Sequence, residues 1–110
     1  MKLTIIGVHR PGGYAEFLTA PAELVHRVPA GLSLTAASFA EPVAIGVQGC
    51  RRGEGSAGED VLILGCGPIG LALIEVAQAR GANVWAADVL PDRLETAAQF
   101  GAETFLVDDN

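Results

Sequence analysis

The second half of the chain alternates between short apolar runs and longer mixed segments. The run VLILG at 61–65 shows no alternation of polar and apolar residues, which is typical of a parallel strand buried on both faces. The pattern then predicts a helix from Pro68 to Arg80, a strand at 83–89, a helix from about Pro91 to Phe100 and a strand at 104–109. This order and spacing predict an α/β fold with a parallel sheet and right-handed crossovers.

The first third of the chain favours β-strands. The segment 3–8 is aliphatic and β-branched, and the segment 14–20 alternates with a period of two residues. A third short candidate strand lies at 24–29, where a proline ends it.

The pattern changes to helical spacing after residue 32. Ser33 and Thr35 are candidate helix caps, and a second helix is expected with Pro42 in its first turn and its end near Arg52. The Gly- and Ser-rich stretch at 53–60 indicates a surface turn. These changes divide the chain into a β-rich region at 1–31, connecting helices at 32–57 and an α/β region at 58–110.

The composition narrows the class of protein. The chain has 110 residues, half of them hydrophobic, which suffices for one small domain with a packed core. Its net charge of −6 argues against nucleic acid as a partner, since binding a phosphate backbone requires a basic face. No run approaches the roughly 20 apolar residues of a membrane span, and no secretory signal pattern is present. Cys50 and Cys66 lack CxxC or disulfide-rich spacing, so we expect reduced thiols and a cytoplasmic protein.

The segment GCGPIG carries the strongest chemical signal. Gly65 permits a tight turn from strand to helix, Gly67 lets a pyrophosphate approach the main chain, and Gly70 lets the helix pack near the strand. Pro68 and Ile69 complete the candidate site, because the first N–H groups of a helix lack intrahelical partners and attract anions. The pattern by itself is a weak signal, since glycines also serve ordinary turns.

An acid at the end of the second strand strengthens this signal. Asp88 follows Gly70 by 18 residues, close to the roughly 20 expected for a carboxylate that accepts a hydrogen bond from a ribose 2′-hydroxyl. An acid there repels a 2′-phosphate and therefore favours NAD over NADP. A helix-capping or surface role for Asp88 is the alternative. Arg93 either lines the adenine side of the cofactor or is a solvated helix residue.

Two other nucleotide-binding folds share part of this pattern. S-adenosylmethionine-dependent methyltransferases usually place an acid two positions before the first glycine, where this chain has Ile63. FAD domains usually begin near the chain terminus and favour Glu at the end of the second strand, where this chain has Asp88. Both folds are therefore less favoured than a NAD-binding domain.

The chain resembles the zinc-dependent medium-chain dehydrogenase/reductase family of the alcohol dehydrogenase superfamily in three stretches: GGYAEF, AEPVAIGVQGCRRG and VLILGCGPIGLALIEVAQARGANVWAADVLPDRLETAAQFGAE. The likeness is greatest to the branch of sorbitol, threonine and sugar-acid dehydrogenases. It implies that 1–31 is the C-terminal β part of a GroES-like catalytic domain. It also implies that 58–110 is the first half of a Rossmann domain, a doubly wound parallel sheet that binds NAD.

The resemblance places Glu41 where this branch has a carboxylate beside the catalytic zinc, as a ligand or a close neighbour. A carboxylate can exchange with water or a substrate alkoxide on zinc. The alternative is an acid stabilised at a helix N-terminus by roughly 0.3–1 kcal/mol. The family's other zinc ligands, a Cys and a neighbouring His-Glu pair, have no counterpart here, and His9 and His26 do not match ligand positions. No catalytic residue is therefore assigned in this chain, and zinc is expected only in a longer parent protein.

The resemblance implies a middle segment of a dehydrogenase of about 340 residues. Such a parent would transfer a hydride from a secondary alcohol or polyol to NAD and form a homo-oligomer, a dimer or tetramer, whereas the chain alone is expected to be inactive. Two alternatives stay open: a non-catalytic nucleotide-binding module and an S-adenosylmethionine-dependent methyltransferase. In a partial sheet VLILG would also form an unpaired apolar edge, so we expect the isolated chain to associate.

Overall fold

The computed structural model describes residues 4–54 and 56–108, which fall into two compact units, 4–32 and 33–108. In the first unit the regular elements are a short 3₁₀-helix, Ala22–Leu24, and an isolated bridge between Ile6 and Arg10. The bridge closes a tight turn. The His9 N–H donates to the Ile5 carbonyl at 2.9 Å, and His9 Nδ1 accepts from the Ile5 N–H at 3.0 Å.

The strands predicted at 3–8, 14–20 and 24–29 are wrong for residues 4–32, none of which lies in a strand. Leu3 lies outside the described residues. An alternating pattern supplies one apolar face, but a strand also needs a hydrogen-bonded neighbour and a surface that covers that face. Residues 4–32 provide neither, and the side chains of Tyr14 and Phe17 are exposed. Residues 4–31 therefore form no strand here, and the assignment of 1–31 to a GroES-like domain stays a prediction.

The second unit alternates helices and strands, and prolines and glycines set several of their bounds. Its elements are α1 (Leu34–Ala37), α2 (Ala40–Arg52), β1 (Asp60–Leu64), α3 (Pro68–Ala79), β2 (Asn83–Asp88), α4 (Pro91–Gln99) and β3 (Glu103–Leu106). Ser33 Oγ caps α1 by accepting from the Ala36 N–H at 3.1 Å. Pro42 lies in the first turn of α2, as predicted. No helix in the described part of the chain is long and apolar enough to cross a membrane.

The three strands form one parallel sheet in the order β1-β2-β3, which confirms the predicted α/β class. Ile63 lies opposite Ala86 in the register of β1 and β2. The third strand is shorter than the predicted 104–109, because Leu106 pairs with Asp88, the last residue of β2. Asp109 lies outside the described residues.

Only one face of β1 is covered, which corrects the prediction that it is buried on both faces. Ile63 is 5% exposed, whereas Leu62 and Leu64 on the opposite face are 59% and 77% exposed. The helix α3 packs on the Ile63 side, and β1 has a hydrogen-bonded neighbour strand on one side only among the described residues. The apolar edge predicted for VLILG is therefore present in this unit.

The core of the second unit lies between the sheet and the helices. Ile74 of α3, Ala86 of β2 and Ala97 of α4 are fully buried at its centre. On its other side α3 packs against α2, and Gly46 permits a close approach. A Cβ at this position would lie 2.9 Å from the Ala72 carbonyl oxygen. The glycine in α2 therefore sets how closely the two helices pack.

Candidate functional site

The turn between β1 and α3 is the first part of the candidate site. Gly65 follows β1 directly with a φ of +94°, a left-handed conformation that costs a residue with a Cβ roughly 1–2 kcal/mol. Its N–H donates to the Ala87 carbonyl at 2.7 Å, which continues the pairing of β1 with β2 into the turn. A Cβ at Gly70 would overlap the Gly65 carbonyl oxygen. The turn therefore requires glycine at both positions.

Gly67 differs from these two glycines, because nothing within the second unit requires it. Its φ of −73° is open to any residue, and a Cβ there would meet no atom within 4 Å. The main chain at Gly67 therefore borders open space. A glycine with no internal role leaves room for a ligand to approach the backbone closely.

The start of α3 directs main-chain N–H groups toward this region. The first hydrogen bond of the helix runs from the Leu71 N–H to the Gly67 carbonyl at 2.9 Å. The N–H groups of Gly67, Ile69 and Gly70 precede that bond, and Pro68 has no N–H. Since a helix N-terminus carries a partial positive charge, these groups suit an anion.

Asp88 ends β2, and its side chain faces the turn. The side chain is 3% exposed, its Oδ2 accepts from the Cys66 N–H at 2.7 Å, and its Oδ1 accepts from the Leu90 N–H at 2.9 Å. These hydrogen bonds, and the nearby Arg93 guanidinium, hold the pKa of Asp88 below its ordinary value, although burial acts in the opposite direction. A carboxylate has about four acceptor positions. Two are occupied here, so further donors can still be accepted.

Arg93 lies in the first turn of α4 at the edge of the same site. Its Nη1 is 3.6 Å from Asp88 Oδ2, and its side chain is 52% exposed. It borders a shallow depression of about 310 Å³ that runs from the glycine turn to α4 and is lined by Cys66, Gly67, Pro68, Leu71, Asp92, Arg93 and Thr96. The structure therefore brings together the glycine turn, Asp88 and Arg93.

Sequence reasoning missed the part played by Cys66. Its thiol is buried and donates to the Ala87 carbonyl at 3.8 Å, while its N–H donates to Asp88. Burial, and then the negative charge of Asp88, raise the pKa of the Cys66 thiol, and Arg93 acts against them. Every non-proline residue has an N–H, so the residue type gives no signal for this contact. Only its position between Gly65 and Gly67 could have drawn attention to it.

The described residues provide no further zinc ligands beside Glu41. Glu41 is exposed in the first turn of α2. Across 4–54 and 56–108, no group of three or more His, Cys, Asp or Glu side chains could hold a metal ion. Catalytic zinc takes three protein ligands. The residues described here therefore do not fit a zinc ion.

Comparisons with known proteins agree on one kind of relative. No protein-family model matches the chain. It is 43% identical over 98 residues to the L-galactonate-5-dehydrogenase of Escherichia coli K12, a match that covers 88% of this chain and 28% of that protein. It is 38% identical over 102 residues to a zinc-type alcohol dehydrogenase-like protein of Haemophilus influenzae, covering 93% of this chain and 30% of that protein.

Solved structures give the same result. The crystal structure of an E. coli CFT073 alcohol dehydrogenase, complexed with cofactor NADH, superposes with a TM-score of 0.92 at 30% identity. That match covers 97% of this chain and 33% of the other. The chain thus spans about three-tenths of the length of the curated relatives it matches.

Proposed function

The chain belongs to the zinc-type alcohol dehydrogenase family, and from this premise we propose that it forms the first half of a NAD(H) site in an oxidoreductase. In the whole protein this site would serve hydride transfer from a secondary alcohol or polyol to NAD. The open side of Gly67, next to the N-terminus of α3, carries the proposal. A dinucleotide is the ligand whose diphosphate needs close contact with bare main-chain N–H groups.

The residues of the turn would bind the diphosphate. The N–H groups of Gly67, Ile69 and Gly70 would donate to its oxygens. Pro68, which has no N–H, favours the start of the helix through its fixed φ. Leu71 already donates to Gly67, so it is not part of the set. The anion is thus held by the backbone and the helix dipole, without a lysine.

Asp88 and Arg93 would hold the adenosine half of the cofactor. Asp88 retains acceptor positions for the ribose hydroxyls, and its negative charge disfavours a 2′-phosphate, so NAD is preferred to NADP. Arg93 is half exposed beside the depression and would border the adenine. When bound, NAD supplies the hydride acceptor of the nicotinamide ring. The residues of this chain bind and orient the other end of the molecule.

The substrate and the metal belong to a further part of the proposal. One relative is named for a sugar acid, L-galactonate, and another for its likeness to alcohol dehydrogenases, so a small hydroxylated molecule is the proposed substrate class. Glu41 would be one carboxylate beside a zinc ion in the whole protein, and the described residues provide no further ligands for that ion. A homo-oligomeric whole protein is part of the same proposal.

Substitution of Gly67 tests the proposed site, because the fold does not depend on this glycine. Gly67→Val should lower the thermal unfolding midpoint only modestly, since a Cβ there meets no atom within 4 Å and the main loss is that of a favourable N-cap residue of α3. It should weaken NADH binding by at least about tenfold, or about 1.4 kcal/mol, because the side chain fills the space of the diphosphate. The measurement is a calorimetric or fluorescence titration with NADH.

Gly53→Ala is the matched control. This glycine also has an ordinary φ, at −78°, and a Cβ there makes only an ordinary contact, 3.5 Å from the Gly49 carbonyl oxygen. It should leave NADH binding unchanged. Equal NADH affinity in wild type and Gly67→Val would contradict the proposal. Binding of S-adenosylmethionine in place of NADH would support the methyltransferase alternative instead.

A further inference from the structure

Asp88 is the one buried charged residue among those the structure describes, and it is tied to two separate loops. One carboxylate oxygen accepts from the N–H of Cys66 in the glycine turn, at 2.7 Å. The other accepts from the N–H of Leu90, which precedes α4, at 2.9 Å. Binding of a ribose hydroxyl by Asp88 would require neither of these two hydrogen bonds.

The bond to Cys66 fixes the direction of one N–H in the turn. Cys66 is 2% exposed, so without Asp88 its N–H would be a buried donor without an acceptor, which is unfavourable. The turn would then have to rearrange to reach another acceptor or water. With Asp88 in place, the Cys66 N–H donates to its carboxylate, and the N–H groups of Gly67, Ile69 and Gly70 remain available to the ligand.

The charge of Asp88 is offset in part by Arg93. An unpaired carboxylate next to an anion-binding turn would repel a diphosphate. The Arg93 guanidinium lies 3.6 Å from Asp88 Oδ2 and offsets that charge. An asparagine could not replace the carboxylate fully, because its NH₂ group would face one of the two N–H donors.

We propose that Asp88 is a positioning residue that presets the glycine turn for the diphosphate, through the Cys66 N–H. This role is additional to its contact with the ribose, and it rests on the proposed NAD(H) function. It predicts that Asp88 contributes to the binding of adenosine diphosphate ligands even when those ligands have no ribose hydroxyl to donate.

A double-mutant cycle between protein and ligand separates the two roles. The protein arms are wild type and Asp88→Ala, and the ligand arms are ADP and 2′,3′-dideoxy-ADP, with calorimetry as the readout. If Asp88 presets the turn, Asp88→Ala should weaken dideoxy-ADP about fivefold or more, the equivalent of about 1 kcal/mol. Equal affinity of dideoxy-ADP for both proteins would overturn the proposal while leaving ribose recognition by Asp88 intact.

Asp60→Ala is the matched control for general loosening of the sheet. Asp60 also links β1 to β2, through Oδ1 and Asn83 Nδ2 at 3.0 Å, but it lies at the opposite end of the two strands. It should leave the affinity of both ligands unchanged. An equal loss in Asp60→Ala and Asp88→Ala would show a purely structural effect and overturn the positioning role.

A ligand-free readout keeps the positioning role testable if the NAD(H) function itself is wrong. The Cys66 amide resonance should move with pH as Asp88 titrates, with Arg93 and the Cys66 thiol as the other ionisable groups that face this carboxylate. Amide exchange at Cys66 should be faster in Asp88→Ala than in Asp60→Ala, and intermediate in Asp88→Asn. The hydrogen bond between the Cys66 N–H and Asp88 is overturned if the Cys66 amide resonance does not move with pH and its exchange is no faster in Asp88→Ala. The proposed function is overturned separately, if wild-type protein binds neither NADH nor ADP.

Discussion

At the scale of single residues, Asp88 is where sequence and structure differ most in what they show. The spacing from Gly70 indicates an acid for a ribose. The fold adds that both carboxylate oxygens already accept main-chain N–H groups, from Cys66 and Leu90. A pattern of residue types cannot show this, because the donors are backbone groups and one of them lies 22 residues away in the sequence.

These hydrogen bonds predict how stability depends on pH. Because the folded protein holds the pKa of Asp88 below its ordinary value of about 3.9, the carboxylate contributes stability at pH values above the unfolded pKa. That contribution is lost as pH falls through the lowered folded pKa. The difference in unfolding free energy between wild type and Asp88→Asn should therefore be largest near pH 6 and shrink toward pH 3.

Urea unfolding at a series of pH values measures this difference. Asp60→Asn is a suitable control, because its carboxylate is exposed and bonds only to another exposed side chain. Its effect should be small at every pH, as for most surface pairs. A wild-type advantage over Asp88→Asn that did not change between pH 6 and pH 3 would contradict the assigned hydrogen bonds.

At the scale of elements, the contact between α2 and α3 depends on which glycine faces backbone and which faces a side chain. A Cβ at Gly46 would lie 2.9 Å from the Ala72 carbonyl oxygen, which cannot move without displacing α3. A Cβ at Gly49 would lie 2.8 Å from Leu73 Cδ2, the end of a flexible side chain. The two positions are three residues apart on the same helix, so they form a matched pair.

Alanine at each glycine should therefore have opposite effects. Alanine gains up to about 1 kcal/mol of helix propensity at either position. At Gly46 overpacking against backbone should outweigh this gain and destabilise the protein by about 1–3 kcal/mol, whereas Gly49→Ala should be neutral or mildly stabilising. Urea unfolding of both variants measures this difference. Equal free energies of unfolding for Gly46→Ala and Gly49→Ala would contradict the close approach of α2 to the Ala72 carbonyl.

Elements from α2 onward could be predicted from sequence more accurately than the segments before residue 32. The helices α3 and α4 each begin at a proline, and Gly81 and Gly101 follow them with positive φ, so local chemistry sets their bounds. The segments at 14–20 and 24–29 have strand-like patterns but form no strand. A strand depends on its neighbours, which are distant in sequence, and period-two alternation does not reveal whether they are present.

At the scale of the whole molecule, the exposed face and free edge of β1 are the features most able to cause association between chains. Leu64 is 77% exposed on β1, and within the described residues this strand has a hydrogen-bonded neighbour on one side only. An apolar edge strand with free main-chain groups favours pairing with another chain. We therefore expect this chain to associate in solution in a concentration-dependent manner.

Light scattering across a range of concentrations tests that expectation. Leu64→Lys should reduce association, because a charge on an edge strand opposes pairing. Leu34→Lys is the control, since Leu34 is 79% exposed but lies on α1, outside the sheet. A monodisperse monomer at all concentrations would contradict the expectation, as would equal effects of the two substitutions.

The sequence by itself determined the order of strands and helices after residue 60 and the glycine turn between β1 and α3. Both follow from local rules, the period of apolar residues and the conformations open to glycine and proline. The tertiary structure alone decided that residues 4–32 form no strand, that one face of β1 stays exposed, and that Asp88 holds the Cys66 N–H. Each of these depends on which distant segments meet, and only the folded chain specifies that.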